Sequence, residues 1–161
     1  MNIFYLHSSP VKAAAYMYNK HVVKMILESA QLLCTAHVML DGDNANVPYK
    51  ATHKNHPSAI WTRESIENYY WVYDHLLALG KEYTQRYGKQ HLTITKCKDI
   101  LSKPPKNLTK VESTEIPQCM PDEFKNTNPV VGYWNYYINA KGNVVNSNET
   151  AYNKIPTEVY E

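Results

Sequence analysis

Phenylalanine is nearly missing from this chain: there are two, against 14 tyrosines and three tryptophans. Aromatics with polar handles suit half-buried faces or stacking on bases more than a uniformly dry core. Cysteine is sparse as well. Cys34, Cys97 and Cys119 form no CxxC pair, which excludes a disulfide framework and a zinc knuckle and leaves three reduced thiols as the expectation. No apolar run approaches the roughly 18 residues of a membrane span, and MNIFYLHSSP lacks the basic and long apolar regions of a secretion signal. A soluble cytoplasmic protein, neither secreted nor bound to a membrane, is therefore expected. An excess of one charge is also lacking. A net charge of +2 permits a nucleic-acid partner without demanding one, because charge can concentrate on one face and vanish from the sum.

What is present is helical periodicity. A length of 161 residues suits one domain that buries a core without disulfides or a structural metal. Ser9 before Pro10 is a helix start, and the 3.6-residue period then runs to about Leu40, where DGDNANVP breaks it. A second start at NHPSAIW, with Pro57 suited to the first turn, leads through Ile60, Ile66, Tyr70, Tyr73 and Leu77 to Gly88. Gly80 inside this second helix predicts a kink or a close helix crossing. TITKCKDILSK reads as a short helix, PPKNLTKVESTEIPQCMP as an ordered loop, and PVVGYWNYYINAKG as a helix over residues 129–141. The fold class is all-α: two long helices, a short one and an aromatic-rich C-terminal one, in a single domain over residues 1–161. Residues 143–161 form a tail that either lies over the surface or frays.

Three clusters carry chemistry. In NKHVVKMILESAQ, His21, Lys24, Glu28 and Gln31 make one polar stripe on an otherwise apolar helix. A carboxylate between apolar shoulders suits proton transfer or a developing cation, whereas Lys24 and Glu28 are equally an ordinary i,i+4 pair. In THKNHP, His53 and His56 have an HxxH spacing without a third ligand, so no metal site is assigned. The same residues could cap the second helix, or hold a phosphate ringed by Lys50, His53, Lys54 and Arg63. In GYWNYYINAKG, Tyr133, Trp134, Tyr136 and Tyr137 are too many aromatics for one buried stripe, leaving base stacking and packing on the first helix both open.

The His-x6-Glu of the first long helix, the QRYGK turn ending the second (residues 85–89) and the WNYY segment together resemble the bacteriophage endonuclease V family of pyrimidine-dimer DNA glycosylases. The resemblance implies a compact all-α enzyme that cuts the glycosidic bond of a damaged or modified pyrimidine in duplex DNA and then nicks the backbone as an AP lyase. It also implies an α-amino nucleophile, here that of Met1, and no metal or other cofactor. Carried over, Glu28 stabilises the cationic sugar and moves protons, and His21 helps position the DNA. Asn2, Lys24, His53, Lys54, His56, Arg63, Trp134, Tyr136, Tyr137 and Lys141 form the DNA-binding set, the aromatics beside the lesion.

Two departures from the family pattern stand out. The chain begins Met-Asn, from which methionine is poorly removed, and Leu27 occupies the place of an arginine before the catalytic glutamate. Two rival functions fit the same residues. One is a non-catalytic nucleic-acid or protein interaction module. The other is a metal-dependent hydrolase or nuclease built on His21, His53, His56 and Glu28.

Overall fold

The computed structural model describes residues 2–141, which contain no strand. The expected tail lies outside the described residues. Six α-helices follow in order: α1 (Pro10–Ala15), α2 (Asn19–Asp41), α3 (Pro57–Thr62), α4 (Ile66–Tyr87), α5 (Leu92–Cys97) and α6 (Pro129–Tyr136), the last continuing into a π-helical turn over Tyr137–Lys141. The two long helices are α2 and α4, with 23 and 22 residues, and they pack on one another through faces that include Val22, Met25, Ile26, Tyr69, Val72 and Leu76. Asn19–Asn44 has the length and mean hydropathy of a membrane-crossing helix, but 61% of its most apolar window is buried inside the protein. We read it as the core helix.

Each long helix is preceded by a short one across a break, where the sequence pattern reads as continuous. The first break, at Tyr16–Tyr18, has no Gly or Pro to explain it. It is imposed by other parts of the fold. Arg86 of α4 donates from Nη1 to the Met17 carbonyl (2.7 Å) and Asn19 Oδ1 (2.9 Å) and from Nη2 to the Ala15 carbonyl (3.1 Å), while Glu82 holds its Nε at 3.1 Å. Those carbonyls would otherwise be orphaned at the end of α1. On the other side of the break the Tyr18 N–H donates to the Tyr137 hydroxyl at 2.9 Å. The second break has a local cause: Ser65 is extended (φ −150°, ψ 159°), and its side chain accepts from the Asn68 N–H, an N-cap that restarts the helix as α4.

Other punctuation behaves as its residues dictate. Ser9, His56 and Asn128 cap α1, α3 and α6 ahead of prolines at the first turn, and Gly88 ends α4 at φ 72°. Gly80 marks a close crossing, since a Cβ there would stand 2.8 Å from Ile94 Cγ1 and Cδ1 on α5. Cys34 and Cys97, distant in sequence, meet between α2 and α5, where their mutual hydrogen bond and burial push the Cys34 thiol up.

The proline-rich connection is ordered by named bonds. Asp41 caps the N–H groups of Lys106 and Asn107, Lys110 and Val111 accept from Ile66 and Glu67, and Trp61 Nε1 donates to the Thr114 carbonyl. Tyr133, Trp134 and Tyr137 of the C-terminal segment have no exposed surface. Trp134 Nε1 donates to the Leu6 carbonyl at 2.8 Å, so this aromatic run locks the start of the chain onto α2.

Candidate functional site

His21, Glu28 and Thr35 recur every seven residues, two turns or about 10 Å apart along one side of α2. Their partners mark the two ends of one face of α2. At the His21 end, the ring of Phe4 stacks at 5.2 Å and Tyr137 Oη lies 2.7 Å from His21 Nδ1. At the Thr35 end, its hydroxyl donates to the Thr52 carbonyl (3.3 Å) and accepts from the Thr52 N–H (3.1 Å), seating the loop before α3 on α2. Glu28 lies between them and is half-buried. Among the described residues it has no ion pair and no hydrogen-bond partner, so the ordinary Lys24–Glu28 pair is not formed. An acidic group so placed is available to a ligand instead of to the fold.

The two ends of this face hold the backbone's strained positions. Among the described residues only Phe4 (φ 56°) and His53 (φ 48°) have positive φ without being glycine. Such strain costs of order 1–3 kcal/mol per residue and concentrates at functional sites. At Phe4 it is held by the Asn2 side chain, whose Oδ1 accepts from the Phe4 N–H (3.0 Å) while Nδ2 donates to the Cys119 carbonyl (2.9 Å). At His53 a tight turn (His56 N–H to the His53 carbonyl, 2.9 Å) and Arg63 Nη2, donating to the Lys54 carbonyl at 2.7 Å, fix the loop.

The sequence-derived site residues separate into two groups. Lys24, His53 and Lys54 are exposed, and His56, Arg63, Tyr136 and Lys141 are partly so. Lys141 sits over the Tyr136 ring at 5.4 Å. Trp134 and Tyr137, by contrast, are fully buried, and no base can stack on them in this conformation. Packing on the first long helix is what the aromatic run does, and Tyr136 alone of its rings expected at the lesion reaches the surface. His21 is 8% exposed and engaged with Phe4 and Tyr137, which leaves little of it to face DNA. The Asn2 amide is committed to its own chain. His56 Nδ1 accepts the Ser58 N–H at 3.1 Å, so it fills the cap that a phosphate would need. Met1 lies outside the described residues.

Electrostatics favour an anionic partner on this side. His21 is lowered to about 4, first by burial and then by the charges of Lys141, Lys24 and Lys20, a basic margin near it. His56 is lowered by burial, with the positive charges of the amino terminus and His53 adding to it. Arg63 is a partly desolvated cation whose Nη1 is buried without a partner among the described residues. Among the described residues no three His, Cys, Asp or Glu side chains converge as metal ligands, and His21, His53, His56 and Glu28 form no such group.

Burial of neutral histidines has a stability consequence. His21 and the fully enclosed His75, whose Nδ1 faces the Pro10 carbonyl at 3.0 Å, both titrate near 4 in the fold. Their folded values lie below the unfolded value of about 6.5, so their contribution is complete above that pH and lost as pH falls toward 4. Each accounts for roughly 3 kcal/mol over that interval. Urea unfolding midpoints should therefore fall steadily between about pH 6.5 and 4.5, and a flat profile would show that these rings are not held neutral.

Sequence reasoning missed Phe4, Thr35 and Thr52, which flank the His21–Glu28 stripe. The His21–Glu28 interval extended once more to Thr35 was the available signal. Phe4 carried none, since its role depends on left-handed backbone.

A family model described as pyrimidine dimer DNA glycosylase matches residues 1–95, which take in α1 to α4, the loop before α3 and Glu28. No curated protein and no solved structure matches the chain. The match covers more than half of the chain and contains His21, Glu28, Thr35 and Thr52, though not Tyr137, and DNA is the substrate class that such a family acts on. The chain belongs to the pyrimidine dimer DNA glycosylase family.

Proposed function

We propose that this protein excises a damaged or modified pyrimidine from duplex DNA and nicks the strand, using its α-amine as nucleophile and Glu28 as the acidic group. The half-buried Glu28 carboxylate, centred between the two strained turns and without a partner among the described residues, is the observation that carries this reading. The amine attacks sugar C1′, the C1′–N bond breaks, and the base leaves with a proton; a Schiff base remains. Loss of a C2′ proton then expels the 3′ phosphate by β-elimination. Glu28 stabilises the cationic sugar and relays these protons. An α-amine titrates near pH 8, so far more of it is unprotonated at neutral pH than of a lysine.

Lys20, Lys24, Lys54, Arg63 and Lys141 are the phosphate-neutralising set in this reading, and binding should weaken steeply with salt. Leu27 and Val23, 39% and 37% exposed beside Glu28, present an apolar shoulder where the family pattern has an arginine. The lesion is thus met by apolar as well as basic surface. Duplexes carrying a pyrimidine dimer or a single modified pyrimidine test the proposal against undamaged duplex. Base release and strand scission on at least one damaged substrate are expected. Salt-sensitive binding with no release from any of them would favour a non-catalytic module.

A further inference from the structure

Away from Glu28, a cavity of about 500 Å³ opens between α3, the start of α4, the 113–116 strap and the start of α6. Tyr5, Trp61 and Trp71 wall it: the Tyr5 and Trp71 rings lie 4.8 Å apart, and Trp61 meets Trp71 nearly edge-on at 6.3 Å. The chain start separates the two sites, for Phe4 packs on His21 while Tyr5 packs on Trp71. Most polar wall groups are already spent. Trp61 Nε1 donates to the Thr114 carbonyl, Trp71 Nε1 to the Ser8 carbonyl, and the Asn68 amide to the Trp61 carbonyl and Thr114 Oγ1.

The charged side chains lining the cavity are carboxylates alone, Glu67 and Glu115. Glu67 uses Oε2 on the Ser113 N–H (2.8 Å), and no bond from a described residue takes its Oε1 or the Glu115 carboxylate. Tyr5 keeps its hydroxyl, half-buried and raised by desolvation. Apolar and aromatic walls with free anionic acceptors at the rim match an aliphatic chain ending in ammonium, which gains from both ring electrons and carboxylates. A phosphate or a nucleotide would be repelled by the same rim.

We propose that this cavity binds an alkylammonium group, from a free aliphatic amine or from a lysine side chain. Trp61 and Trp71 supply an intrinsic fluorescence signal, Trp134 being buried elsewhere. Titration of the whole protein with 1,5-diaminopentane, and separately with N-acetyl-lysine methylamide, should give a saturable change with at least one of them, and which one identifies the source. Affinity should weaken at least about tenfold in a Glu67→Gln/Glu115→Gln variant, which keeps the Ser113 hydrogen bond available and the side-chain volumes unchanged. No saturable change with either amine would overturn the proposal. So would equal binding of 1-butanol, or affinity unaltered in the double variant. None of these readouts depends on DNA cleavage, so they stand apart from the fate of the glycosylase reading.

Discussion

Glu28→Gln is expected to lower base excision by at least about a thousandfold, some 4 kcal/mol of transition-state stabilisation, while leaving the protein as stable as before. Both halves come from one fact. The carboxylate is half-buried on the α2 stripe, yet no described residue pairs with it. A group with no partner in the fold can be replaced by its isosteric amide within about 0.5 kcal/mol of stability. An ion-paired glutamate would behave differently, since its loss would strand the partner cation. In the proposed mechanism the substitution removes negative charge and proton-transfer capacity beside the developing sugar cation, while the side-chain shape is kept. Affinity for damaged duplex should remain within a few-fold of the parent. An excision rate that survives the change would mean that Glu28 is only a wall.

Arg86→Ala should be the most damaging change remote from Glu28, costing roughly 3–5 kcal/mol in urea unfolding. Its guanidinium is 11% exposed and spans the carbonyls of Ala15 and Met17, Asn19 Oδ1 and Glu82. Alanine leaves those acceptors unmet and the Glu82 carboxylate alone. Arg86→Lys should recover less than half of the loss, because an ammonium lacks the planar fork that reaches both sides of the break. The damage should reach the His21 end of the candidate site as well. The break that Arg86 holds sets Tyr18 against the Tyr137 hydroxyl, which in turn meets His21. A loss below about 1 kcal/mol would show that the break is held by packing alone.

Much of this architecture was legible where residues act locally. Pro10, Pro57 and Pro129 each follow a cap and each begins a helix; Gly88 ends one, and Gly80 sits at a crossing. The α3–α4 break was read over as one continuous helix, although its cause, the Ser65 cap, is local. The α1–α2 break has no local cause, for it depends on a guanidinium from a helix about 70 residues away. The same distinction governs the site. Glu28 stood out because a carboxylate in an apolar helix violates the surface pattern. Trp134 and Tyr137 were harder to place, since a cluster of amphipathic aromatics reads alike as a base platform and as a clasp. Their burial follows from bonds to Leu6 and Tyr18, which no periodicity encodes. The basic margin of Lys20, Lys24 and Lys141 was likewise hidden in a nearly balanced charge total.

The central claim is that an amine at the start of the chain does covalent chemistry on DNA beside Glu28. Borohydride reduction during reaction with lesion-containing duplex, followed by digestion and mass spectrometry of the adduct, addresses it directly. A stable protein–DNA conjugate mapped to the amino-terminal residue is predicted. Excision that proceeds with no conjugate, or a conjugate mapped to a lysine side chain, would contradict it.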